Sequence, residues 1–189
     1  VNRIRRKIQM GSTEVWNFVH LGTQIKSIWH LPSEFHVAQG QQAYVETIEP
    51  ITVTRERAKT PTELATTTEH ATFLSSLGQL MWHAVSIACW LAYEVSTLSS
   101  KSSKLTVGDL VALAKAIRKA HVYKETKLRY YRLGLVDQMP DILQEADSSL
   151  QNLEDHRTQQ AFLPLLCKPL EQVADYLNSD IVWANLMCW

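Results

Sequence analysis

Residues 66–100, TTTEHATFLSSLGQLMWHAVSIACWLAYEVSTLSS, decide the fold of this chain. Thr66 and Glu69 stand at capping-box spacing, the reciprocal hydrogen-bond pair that starts a helix. Thr60, Pro61 and Glu63 offer a similar N-cap, first-turn proline and acid slightly earlier. From there Leu77, Leu80, Met81, Ala84, Ala88, Leu91, Val95 and Leu98 recur at steps of three and four, so the spacing predicts one long amphipathic helix. The uncharged run at residues 80–93 is shorter than the roughly 20 residues a membrane span needs, and it reads as a buried core helix. The cluster STLSSKSSK at 96–104 ends the helix.

Working outward, Thr106 and Asp109 repeat the capping-box spacing and open a second helix. Val107, Leu110, Val111, Ala114 and Ile117 form its expected buried side. Lys115, Arg118 and Lys119 lie on the other side, a basic stripe suited to a phosphate backbone and equally to a solvated face. Upstream, residues 14–28 (EVWNFVHLGTQIKSI) and 35–40 alternate like strands. Pro32 falls in the connection between them, and residues 41–51 read as a short helix halted near Pro50. Downstream, 127–133, 141–147, 159–167 and 180–187 read as strands, with Pro164 expected at an edge or a bulge. Asp147 then ends a strand ahead of a polar loop, where it could form a turn with Ser148 and Ser149. A boundary between a helical unit and a second strand-bearing unit is expected near residues 134–140.

Composition is that of an ordinary globular protein: 46% hydrophobic, 20% charged, with 19 cationic and 19 acidic residues. Net charge therefore points to no partner, although RIRRK at 3–7 is locally basic. Cys89, Cys167 and Cys188 are widely spaced, which suits a reducing compartment, and the basic opening has no secretory apolar core behind it. His70, His83 and Cys89 match no compact zinc spacing. Neither a nucleophile elbow nor a phosphate-binding glycine loop nor a dinucleotide fingerprint is present. From the residues alone the chain is an intracellular α+β protein with a helical middle.

Five collinear segments carry a resemblance. FVHLGTQI, then QQAYVETIEPI, then the long helix with Glu69, Phe73, Leu77, Gly78, Leu80, Trp82, Val95, Ser96 and Leu98, then TVGDLVALAKAIRKA leading into LRYYRL, then ADSSLQNLEDHRTQQA appear in order. Their order resembles the reverse transcriptase of copia-like retrotransposons, in truncated and divergent form. The family's Arg-Pro-Asp falls on Ala88, Cys89 and Trp90, Leu74 replaces an arginine, and Ala161 stands where glycine is common. The polymerase Tyr-x-Asp-Asp would precede residue 1, and the later nuclease acids would follow Trp189.

The resemblance implies an α+β fold in three parts: the β-rich end of a polymerase palm at 1–59, a helical thumb or connection at 60–134, and the N-terminal part of a ribonuclease H-like domain at 135–189. It implies a fragment of a Pol polyprotein whose intact parent copies RNA into DNA with Mg²⁺, at sites in the cytoplasm, a virus-like particle or the nucleus. Both activities of such a parent use clustered carboxylates around two metal ions. Asp147 is then the first nuclease carboxylate and a metal ligand without its partners, so the chain alone is expected to be inactive and to bind no cofactor. Its expected partner is an RNA/DNA template–primer duplex, with Lys115, Arg118 and Lys119 on phosphates and Phe18 to Gly22 near the primer end; neither a membrane nor a small-molecule substrate is expected. The alternative is a non-enzymatic helical interaction protein whose long helix packs against a partner through Trp82, Trp90 and Tyr93 as an exposed aromatic anchor.

Overall fold

The computed structural model describes residues 17–29, 35–131, 141–149, 159–167 and 184–186. The chain is α+β. Strands β1 (Asn17–His20), β2 (Thr23–Trp29), β3 (Phe35–Gly40) and β4 (Lys127–Tyr131) form one antiparallel sheet in that order. Between β3 and β4 come helices α1 (Gln42–Glu46), α2 (Arg55–Ala58), α3 (Thr67–Ser86), α4 (Ala92–Ser100) and α5 (Val107–Val122). The helical unit is thus an insertion between two neighbouring strands, with Gly40 and Lys127 in register at its mouth.

The hairpin β1–β2 turns in two residues, because His20 pairs with Thr23. Leu21 (φ 48°) and Gly22 (φ 78°) both adopt left-handed backbone, as a two-residue turn matched to strand twist requires. Glycine is needed at 22 for a second reason: a Cβ there would lie 3.0 Å from Tyr44 Cδ2.

Both capping boxes form as expected. Thr66 Oγ1 accepts from the Glu69 N–H at 3.2 Å while the Glu69 carboxylate accepts from the Thr66 N–H at 2.7 Å. Thr106 and Asp109 do the same for α5. The earlier Thr60–Pro61–Glu63 set, expected as an N-cap, instead forms a loop that closes the start of α5. The Gly108 and Val107 N–H groups, which have no partner inside their own helix, donate to Pro61 O (2.8 Å) and Glu63 O (2.9 Å). The loop comes so near that a Cβ on Gly108 would meet Pro61 O at 3.1 Å. Arg57 holds the same loop with a two-pronged bond to Glu69 (3.1 and 3.0 Å), an ion pair to Glu63 and a bond to Leu64 O. This guanidinium, with help from the Thr66 N–H, holds the Glu69 carboxyl down at about 2.

The single long helix does not persist. α3 ends at Ser86, a 3-10 turn covers Cys89–Leu91, and α4 resumes at Ala92. The sequence pattern runs on across the break because Ile87, Ala88 and Leu91 are all buried in the turn itself. Periodicity records which residues face the core and is blind to a change of axis between them. Met81, expected on the buried face, is 38% exposed. Phe73, Leu77, Leu80 and Ala84 of α3 pack with Val95 and Leu98 of α4, Leu110, Leu113 and Ile117 of α5, and Val45 of α1. The described residues within 1–59 and 60–134 therefore share one sheet and one core.

A second sheet orders β5 (Asp141–Ser149), β6 (Gln159–Cys167) and β7 (Ala184–Leu186). β6 is its middle strand rather than an edge. Pro164 is in register with Gln144 of β5, and among the described residues β7 pairs with Leu165 to Cys167 and not with Pro164. The boundary expected at 134–140, the connection around Pro32 and the basic run at 3–7 lie mostly or wholly outside the described residues.

Candidate functional site

Three of the sequence-derived segments converge on a buried polar hub. Gln41 immediately precedes α1 and is fully buried. Its amide nitrogen donates to Thr23 Oγ1 at 2.9 Å, and its amide oxygen accepts from His83 Nδ1 at 2.9 Å. With the amide in this orientation its oxygen can only accept, so the matching histidine tautomer carries its proton on Nδ1. The Tyr44 hydroxyl, one turn further along α1, donates to Gln79 O at 3.2 Å, and the Trp82 indole donates to Leu21 O at 3.2 Å. The hairpin tip, α1 and α3 are thereby held in one geometry by four directional bonds.

His83 is buried, and that burial pushes its imidazole down to about 4. Its edge meets the Trp90 ring (centroids 6.4 Å, planes at 85°), and Trp90 in turn meets Tyr123 of the α5 C-terminus (6.2 Å, 72°). Trp90 is therefore half-buried among rings, and the expected exposed trio of Trp82, Trp90 and Tyr93 is not assembled: only Trp82 (38%) and Tyr93 (56%) face outward.

The basic stripe of α5 divides. Lys115 and Arg118 are exposed, and among the described residues neither has an ion pair. Lys119 is half-buried, and its ammonium donates to Glu94 Oε1 at 2.5 Å, tying α5 to α4. Lys119 is consequently a helix-to-helix tie, and of the three cations Lys115 and Arg118 are the exposed ones without an ion pair among the described residues. Phe18 is half-buried in β1 opposite Ile25, and Gly22 sits in the turn against Tyr44.

Asp147 lies inside β5 and not at its tip. It is in register with Ala161, and Ser148 and Ser149 continue the strand opposite Gln160 and Gln159. A turn formed by Asp147 over those serines is therefore excluded, since both are extended and paired. Among the described residues no group of three or more His, Cys, Asp or Glu side chains could hold a metal ion. His70 instead contacts Ser102 O (2.8 Å), His83 contacts Gln41, and Cys89 is exposed.

Residue reading alone missed the Gln41–His83 bond, which spans 42 positions, and the Glu94–Lys119 tie. The one signal for the first was Gln41 and Tyr44 at i and i+3, which put both on the same side of a short helix. No family model matches the chain, and no curated protein and no solved structure matches it. No helix among the described residues is long and apolar enough to cross a membrane.

Proposed function

We propose that the chain is the late part of a retroelement Pol protein, spanning the end of a polymerase palm, a helical thumb and the opening of a ribonuclease H-like sheet, and that its task is to hold template–primer duplex. The observation that carries this reading is the exposed face of α5, where Lys115 and Arg118 stand without counter-ions among the described residues. They are one turn apart, a spacing that lets two cations follow one phosphate strand. Backbone contacts of this kind position a duplex without reading its sequence. The break after α3 is consistent with the same ancestry. The family's proline position falls on Cys89, the first residue of the 3-10 turn, where a missing N–H costs no helical bond.

Asp147 would be the first nuclease carboxylate, and in the intact parent Mg²⁺ would require further oxygen ligands beside it. The chain on its own is expected to lack polymerase and nuclease activity. Fluorescence anisotropy with a labelled RNA/DNA duplex, titrated across a salt series, tests the holding role. Two phosphate contacts predict a slope of log affinity against log salt near −2. Absence of binding at low salt, or binding indifferent to salt, refutes it.

A further inference from the structure

We propose that the outer face of α3 is a self-association surface that pairs two copies of this chain through antiparallel α3 helices crossing at Gly78. This is independent of the duplex reading, because its residues lie on α3 and not on α5.

The core side of α3 is fully occupied, yet its other side is not an ordinary solvated face. Residues 71–93 contain no Asp, Glu, Lys or Arg, so about four and a half turns of α3, residues 71–86, carry none of these charges. Leu74 (45%), Met81 (38%), Trp82 (38%) and Val85 (55%) all reach solvent there. Leu74, Gly78, Met81 and Val85 follow steps of four, three and four, the seam spacing of paired helices. The same seam continues onto the hairpin tip, where Trp82 bonds Leu21 O and both Leu21 and Val19 are exposed.

Charge and size together select the occupant. A nucleic-acid backbone needs cations and a charged protein needs countercharges; this face offers neither. A second copy suffers no like-charge repulsion across a twofold axis here. The face also mixes sizes: Ala71 and Ser75 are small, whereas Leu74, Met81, Trp82 and Val85 are bulky. A twofold axis at Gly78 sets Ser75 against the second copy's Met81 and Ala71 against its Val85, bulk into space. It also lays Leu74 on the second copy's Trp82. Nothing lies within 4 Å of where a Gly78 Cβ would sit, so the two backbones can approach closely at the crossing. A helix of 20 residues is about 30 Å long, and a contact confined to it falls short of the roughly 800 Å² per partner of a standard stable interface. The dimer is accordingly weak, with a midpoint on the order of 100 μM.

Sedimentation equilibrium of the full chain over a concentration series from about 5 to 500 μM, the span that brackets such a midpoint, is the test. The weight-average mass should rise toward twice the monomer value, and Gly78→Glu should hold it at the monomer while far-UV circular dichroism stays unchanged. With Cys89, Cys167 and Cys188 first replaced by serine, Gly78→Cys should form an intermolecular disulfide under mild oxidation. Ser75→Cys should not, since its counterpart lies beyond the roughly 7 Å reach of that bond. A mass that does not change with concentration overturns the proposal. A rise equal in wild type and Gly78→Glu also overturns it, by placing association elsewhere.

Discussion

Replacing Gln41 by alanine attacks the hub that joins the hairpin tip, α1 and α3. The amide serves two buried partners, so its loss strands the Thr23 hydroxyl (4% exposed) and the His83 Nδ1–H (1% exposed) together. A buried polar group left unmatched costs about 1–3 kcal/mol, and the space left by the removed side chain adds to that. The expected loss is about 3–5 kcal/mol, a large part of the 5–15 kcal/mol typical of a domain. Urea unfolding followed by circular dichroism measures it, with an unchanged m-value confirming that both states are otherwise alike. Gln41→Met keeps the volume and removes only the polarity, so it separates bonding from packing. In a double-mutant cycle with His83→Leu the two losses should be less than additive by about 1 kcal/mol or more. If Gln41→Ala costs less than about 1 kcal/mol, or if the two losses simply add, the amide does not bridge hairpin and helix and the reasoning fails.

Further outcomes follow from single side chains. With its folded value near 4 and an unfolded value near 6.5, His83 stays neutral in the native state while the unfolded chain takes up a proton. Stability from this group is complete above pH 6.5 and declines as pH falls toward 4, by at most about 3 kcal/mol; His83→Gln should flatten that arm in urea midpoints compared with wild type. Leu21→Asn should stabilise by about 0.5–1 kcal/mol in thermal unfolding, because asparagine tolerates the left-handed backbone that leucine strains to adopt. Lys115→Ala and Arg118→Ala should each reduce the salt slope of duplex binding by about 1, whereas Lys119→Ala should leave it unchanged and instead lower stability through loss of the Glu94 tie. Thr106→Ala should cost about 1 kcal/mol in chemical unfolding by removing the α5 cap.

Local chemistry was the legible part of this chain. Thr66 with Glu69 and Thr106 with Asp109 mark helix starts because the bonding partners are three residues apart and no distant element is needed. The β1–β2 turn at Leu21–Gly22 is just as local, yet the alternation across residues 14–28 runs through it and hides it. Where the partner is remote, the pattern misleads: Pro61 and Glu63 look like a cap for their own helix and in fact serve α5, whose Gly108 lies 47 positions on from Pro61. The stripe of Lys115, Arg118 and Lys119 looks uniform in sequence because Glu94, which claims one of the three, sits on another helix. Asp147 reads as the end of its strand, whereas the strand runs two residues further to Ser149, because a serine pair is as compatible with an extended ladder as with a turn.

The insertion of five helices between β3 and β4 has a kinetic consequence. Gly40 and Lys127 meet only after the intervening segment has compacted, since an open chain of that length pays closure entropy before any ladder bond rewards it. The helices, built from contacts near in sequence, should form first and deliver Lys127–Tyr131 to the waiting edge of β3 as a late, nearly intramolecular step. Strand β4 thereby acts as a latch. Amide protons of the β3–β4 ladder should gain protection after those of α3 and α5 during refolding and lose it before them when the protein opens.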